Sequence, residues 1–104
     1  RALGLALLGE RLDAATAAEW GLIWRCVDDA EFAEAVDRLA GQLASAPTLA
    51  LVRTRQALDG AWARTLAEQL DLERDFQREL GHTADYAEGV AAFAAKRTPR
   101  FIGG

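Results

Sequence analysis

The chain has 104 residues, 16 acidic against 12 basic side chains, a net charge of −4 and 51% hydrophobic residues. That length holds one ordinary domain, and the composition excludes disorder as the default and argues against a nucleic-acid-binding surface. No apolar run approaches the roughly 18 residues of a membrane span, no signal peptide opens the chain, and the one cysteine, Cys26, permits neither an internal disulfide nor a metal cluster.

Of the apolar residues, 23 are alanine and only six are valine or isoleucine. Alanine is the best helix former, and strands want the β-branched residues that are scarce here. A mainly α chain is therefore expected. Alanine buries little area, so the core is thin for the length and the helices want an outside surface to pack on. Arg1 opens inside a helix-like run, which reads as a piece of a longer chain.

The first helix is expected to end at Gly9, because glycine takes the left-handed position past a helix end cheaply. Asp13 is placed to cap a short helix from Ala14 to Trp20, stopped by Gly21. Leu22 to Val27 is the one stretch with strand character, closed by Asp28-Asp29. It has no partner in this chain, so it pairs elsewhere or is merely extended. Asp29 is a second candidate cap, for a helix from about Ala30 to Ser45 with Phe32, Val36, Leu39 and Leu43 on one stripe. Pro47 suits the first turn of the next helix, which carries Leu51, Thr54 and Leu58 and ends near Gly60. Thr65 to Leu80 is the longest periodic segment, apolar on one side and charged on the other, with Gly81 at its end. Thr83 caps a last helix bearing Tyr86, Val90 and Phe93, which Thr98-Pro99 ends.

Few constellations carry chemistry. His82 sits in a Gly-His-Thr loop without a nucleophile, and reads as a loop or capping histidine. Asp28-Asp29 stands in a capping context, and the carboxylates of 65–80 alternate with arginines as on a solvated or subunit-facing surface. The glycines form no phosphate loop. Trp20, Trp24 and Trp62 fit a core or an interface. There is one lysine, Lys96, beside eleven arginines. With Arg97, Arg100 and the nearby Phe93 it is able to hold a phosphate and stack a base. The alternative is cations opposing the dipole at a helix C-terminus.

The run Leu7-Leu8-Gly9-Glu10-Arg11-Leu12-Asp13 through Gly21-Leu22-Ile23 resembles a segment of the crotonase superfamily, the enoyl-CoA hydratases and isomerases. Tyr86-x-Glu88-Gly89-Val90-x-Ala92-Phe93-x-x-Lys96-Arg97-x-Pro99-x-Phe101 resembles the last helix and tail of the same family. The resemblance covers essentially the whole chain. Within the superfamily, the stretch at Trp20–Trp24, Leu70 to Gln77 and Thr83 to Gly89 are most similar to the ring-1,2-epoxyphenylacetyl-CoA isomerases of phenylacetate degradation.

The resemblance implies the C-terminal helical, trimerising region of a crotonase-like α/β fold built on a β-β-α spiral, here with one short strand. Residues 1–29 would close the spiral core, and residues 30–104 would form the oligomerisation and CoA-covering region. The family's oxyanion hole and catalytic carboxylates lie upstream of the Leu-x-Gly segment, so no residue here is nominated as catalytic and none as a metal ligand. Phe93 and Lys96 match the residues that reach a neighbouring subunit's CoA near its adenine and ribose phosphate, with Arg97 a weaker candidate. No tightly bound cofactor is implied, coenzyme A entering only as part of the thioester substrate. The implied setting is a cytoplasmic homotrimer or hexamer without nucleic-acid or membrane partners. The implied reactions are isomerisation of the epoxide or, alternatively, enoyl-CoA hydration, with this part of the chain inactive alone. Residue patterns without the resemblance leave a helical interaction module as the rival.

Overall fold

A computed structural model describes residues 1–104 as helices joined by turns, with no β-strand. The chain divides into two compact units, Arg1–Arg38 and Leu39–Gly104.

In the first unit, α1 (Ala2–Leu8) ends at Gly9, which turns left-handed at φ 64°. Helix α2 (Ala14–Glu19) is six residues long, too short to persist on propensity alone. Both of its ends are hydrogen-bonded. The Asp13 carboxylate accepts the Thr16 amide and the Thr16 hydroxyl, each at 2.8 Å, and these bonds hold its pKa below the usual carboxylate range. At the other end Gly21 stands at φ 75°, donating to the Ala18 carbonyl, while Leu22 donates to the Ala17 carbonyl. This double closure requires one left-handed residue, and glycine supplies it without a Cβ clash.

Two expectations fail after that turn. Leu22 to Val27 forms no strand; it runs through bends into open extended chain, because no second strand offers it a ladder. Asp29 caps nothing. It enters a 3₁₀ turn, Asp29–Glu31, and Asp28 ahead of it makes no side-chain capping bond. Helix α3 (Phe32–Ala44) follows and crosses from one unit into the other.

The second unit is built on an α-helical hairpin. Helix α4 (Thr48–Asp59) starts after Pro47, and a 3₁₀ turn, Ala61–Ala63, leads to α5 (Leu66–Leu80). Thr65 and Glu68 bond each other's backbone amides reciprocally at the head of α5, satisfying two free donors. The two helices run antiparallel: Arg53 on α4 bonds Glu79 near the end of α5, while the Ala57 carbonyl accepts from Gln69 near its start. The Arg53 guanidinium also lies over the Phe76 ring at 5.2 Å. Gly81 ends α5 in the right-handed region, at φ −62°. Its conformational freedom is not used. Thr83 then caps α6 (Ala84–Ala94), accepting the Tyr86 amide at 3.1 Å.

The hydrophobic core is as thin as the alanine count foretells. The buried apolar residues are Ala17, Ala35, Ala57 and Ala92. Phe32, Val36 and Leu43 of the α3 stripe stay exposed, as do Leu66 and Leu70 on α5. Trp24 and Trp62 are exposed too, which removes them from any core.

Candidate functional site: the end of the last helix

Helix α6 stops at Ala94, four residues before the Thr98-Pro99 boundary that proline chemistry predicts. The stop is Lys96, which turns left-handed at φ 52° and is the only non-glycine residue with a positive φ. Its amide donates to the Phe93 carbonyl at 3.2 Å, and the Arg97 amide donates to the Ala92 carbonyl at 3.0 Å. Those two bonds use up carbonyls that would otherwise be orphaned at the helix end. The backbone reversal therefore comes early, and it comes at the lysine.

After the reversal the tail folds back along α6. Two carboxylates one turn apart receive it. Glu88 accepts the Arg100 amide at 2.7 Å and grips the Arg97 guanidinium with both oxygens, at 2.6 and 2.8 Å. Hydrogen bonds from Arg97 and then from the Arg100 amide lower the Glu88 pKa to about 2. Asp85, only 5% exposed, accepts the Ile102 and Gly103 amides at 2.7 and 2.9 Å. The Asp85 amide in turn donates to the Gly104 carbonyl at 3.0 Å. The Phe101 ring comes to lie over Gly89, and a cavity of about 340 Å³ opens beside it, walled by Leu49, Leu80, Tyr86 and Phe101.

The two nominated site residues are placed at this turn, joined through the backbone bond from Lys96 to Phe93. The Phe93 ring is 87% exposed. The Lys96 side chain is exposed and makes no ion pair or hydrogen bond. Arg97 is not free in the same way, because Glu88 already holds its guanidinium, whereas Arg100 gives Glu88 only its backbone amide and its exposed guanidinium is unpaired. His82 is exposed in the turn between α5 and α6. Sequence patterns passed over Asp85 and Glu88. Their signal was two acids at i and i+3 on the last helix, ahead of a tail carrying Arg97 and Arg100.

The match to known proteins runs along the entire chain. Residues 1–104 fit the family described as enoyl-CoA hydratase/isomerase. The chain belongs to that family. It is 54% identical over 103 residues to the 1,2-epoxyphenylacetyl-CoA isomerase of Escherichia coli strain K12, covering 99% of this chain and 39% of that protein, its C-terminal part. A Rhodobacter capsulatus protein named as a probable enoyl-CoA hydratase is 42% identical over 103 residues, with 99% of this chain and 40% of its own length covered. In fold, the chain superposes on an enoyl-CoA hydratase/isomerase-family crystal structure from Mycobacterium abscessus with a TM-score of 0.94 and 36% identity, covering all of this chain and 40% of that one. The chain thus spans about two fifths of the length of the curated relatives it matches. The helical C-terminal reading of the fold holds, without its strand. No helix of the chain is long and apolar enough to cross a membrane.

Proposed function

We propose that this chain is the assembly and CoA-covering region of an acyl-CoA isomerase that rearranges ring-1,2-epoxyphenylacetyl-CoA to the oxepin. The 54% identity to the E. coli isomerase supports that substrate, while the Rhodobacter relative favours enoyl-CoA hydration as the second reading. The observation that carries the binding role is the unpaired Lys96 ammonium at a turn beside an uncovered Phe93 ring. In this reading Phe93 packs on the adenine and Lys96 meets a phosphate of the CoA moiety, in the active site of a neighbouring subunit. Coenzyme A arrives as part of the thioester, and no other cofactor is required of these residues.

Chemistry at the thioester falls to residues outside this chain. Donors aimed at its carbonyl oxygen stabilise the charge that develops there, each worth about 2.7–4 kcal/mol in comparable sites. A carboxylate elsewhere moves the proton. Five acids of this region have structural work: Asp13 and Glu68 cap helices, Glu79 and Glu88 hold arginines, and Asp85 holds the tail. The exposed apolar side chains of α3, α5 and α6 are the surface for a homotrimer or a dimer of trimers. An exposed free thiol at Cys26 fits the reducing cytoplasm.

The test is turnover by the complete enzyme offered the epoxide thioester and crotonyl-CoA side by side. Faster rearrangement of the epoxide is expected, and the 104-residue chain alone is expected to turn over neither. Preferred hydration of crotonyl-CoA would install the second reading. Lys96→Ala is expected to raise the KM for the CoA ester and leave kcat nearly unchanged, since a remote phosphate contact is felt equally in ground and transition states.

A further inference from the structure

A left-handed lysine persists only where its surroundings over-determine it. At Lys96 the surroundings are the residues immediately after it, and one side chain holds them. Glu88 sits two helical turns before Lys96, and its carboxylate accepts from the Arg97 guanidinium twice and from the Arg100 amide once. Those three bonds close a loop around the lysine turn. They also pair Arg97, while Lys96 and the Arg100 guanidinium stay unpaired, and of these two Lys96 is the one bonded through its backbone to Phe93. Asp85 does neither job. It fastens the tail farther on, at Ile102 and Gly103.

We infer that Glu88 is a positioning residue for CoA recognition, fixing the turn that aims Lys96. The inference rests on the reading of Lys96 as a phosphate ligand. Its acid stays ionised across the whole neutral range, as a permanent anchor must, because Arg97 and the Arg100 amide hold its pKa near 2.

The experiment is competitive inhibition of the complete enzyme by free CoA and by pantetheine, which lacks the nucleotide, with kcat followed at saturating thioester. Lys96→Ala is expected to weaken CoA about tenfold, the size of one hydrogen bond to a charged group, and to leave pantetheine unchanged. Glu88→Gln is expected to weaken CoA several-fold with the same selectivity and an unchanged kcat. In a Lys96→Ala background it is expected to add nothing. If Lys96→Ala leaves CoA inhibition unchanged, the lysine reading fails and takes this inference with it. If Lys96→Ala weakens CoA but Glu88→Gln does not, or if the two effects simply multiply, the positioning role alone is refuted. Tighter CoA binding by Glu88→Gln would refute it as well, by showing that a released Arg97 is itself a ligand. Should Glu88→Gln fold poorly, Arg97→Met breaks the same grip from the other side and keeps the Arg100 bond. It carries the same expectations.

Discussion

Helices α2 and α6 close with the same pair of hydrogen bonds but with different residues at the pivot. In α2 the pivot is Gly21, at φ 75°; in α6 it is Lys96, at φ 52°. Glycine occupies that region freely, whereas an L-residue with a side chain is strained there by roughly 1–2 kcal/mol. The α2 turn is closed by its own backbone bonds, and the chain after it wanders off exposed. The α6 turn is followed by a tail strapped to Asp85 and Glu88. The difference shows what a side chain at the pivot requires: support beyond the closing backbone bonds, supplied by carboxylates on the helix itself that the α2 end has no counterpart for.

The largest expected effect comes from cutting that strap at its buried point. Asp85→Ala leaves the Ile102 and Gly103 amides without their acceptor in a partly buried setting, at a cost of about 1–2 kcal/mol. Equilibrium urea unfolding measures it. A loss under about 0.5 kcal/mol would mean the tail adds nothing to the α6 end, and the contrast with α2 would collapse.

A reciprocal pair of substitutions sharpens the contrast further. Gly21→Ala places a Cβ in the left-handed region where nothing compensates, and is expected to cost about 1 kcal/mol. Lys96→Gly removes the strain and is expected to raise stability by about 0.5–1 kcal/mol while weakening CoA. Opposite signs in unfolding, together with lost affinity in the stabilised variant, would identify Lys96 as retained for its side chain. Destabilisation by Lys96→Gly would show that the lysine stem packs favourably and that the turn is not strained.

Local signals in the sequence are legible because their chemistry is local. Asp13 and Thr83 cap the helices they precede, and Gly9 and Gly21 stop the ones they follow, since each acts within about one turn of itself. The end of α6 is not legible, for the converse reason. Lysine carries no stop signal, and the next residue that does is Pro99. At Leu22–Val27 the extended alternative holds and the strand does not, because a short apolar run shows β-like composition whether or not a partner strand exists. Asp85 and Glu88 left no periodic trace, their partners lying 9 to 18 residues along the chain in a tail without regular structure. Phe93 and Lys96 stand out through family resemblance; residue types alone leave the cluster open to being a dipole-opposing helix end. The structure then separates Arg97 from Lys96, which charge counting cannot do.

Acid provides the gentlest way to part the two helix ends. Glu88 titrates near pH 2 in the folded chain, against about 4.3 for an unperturbed glutamate. A depressed folded pKa means that the unfolded chain takes up the proton first as the pH drops. The stabilisation from Glu88 is therefore complete above about pH 4.3 and drains away toward pH 2. The Glu88–Arg97 pair is partly exposed, with side chains 23% and 46% accessible, so solvent screening keeps the effect small. Hydrogen exchange resolves it residue by residue. Between pH 4 and 2.5 the protection factor of the Arg97 amide, which closes α6, is expected to fall relative to that of the Leu22 amide, which closes α2 with the same bond. No carboxylate backs the Leu22 closure, so a parallel fall at both amides would mean that the lysine turn stands without Glu88.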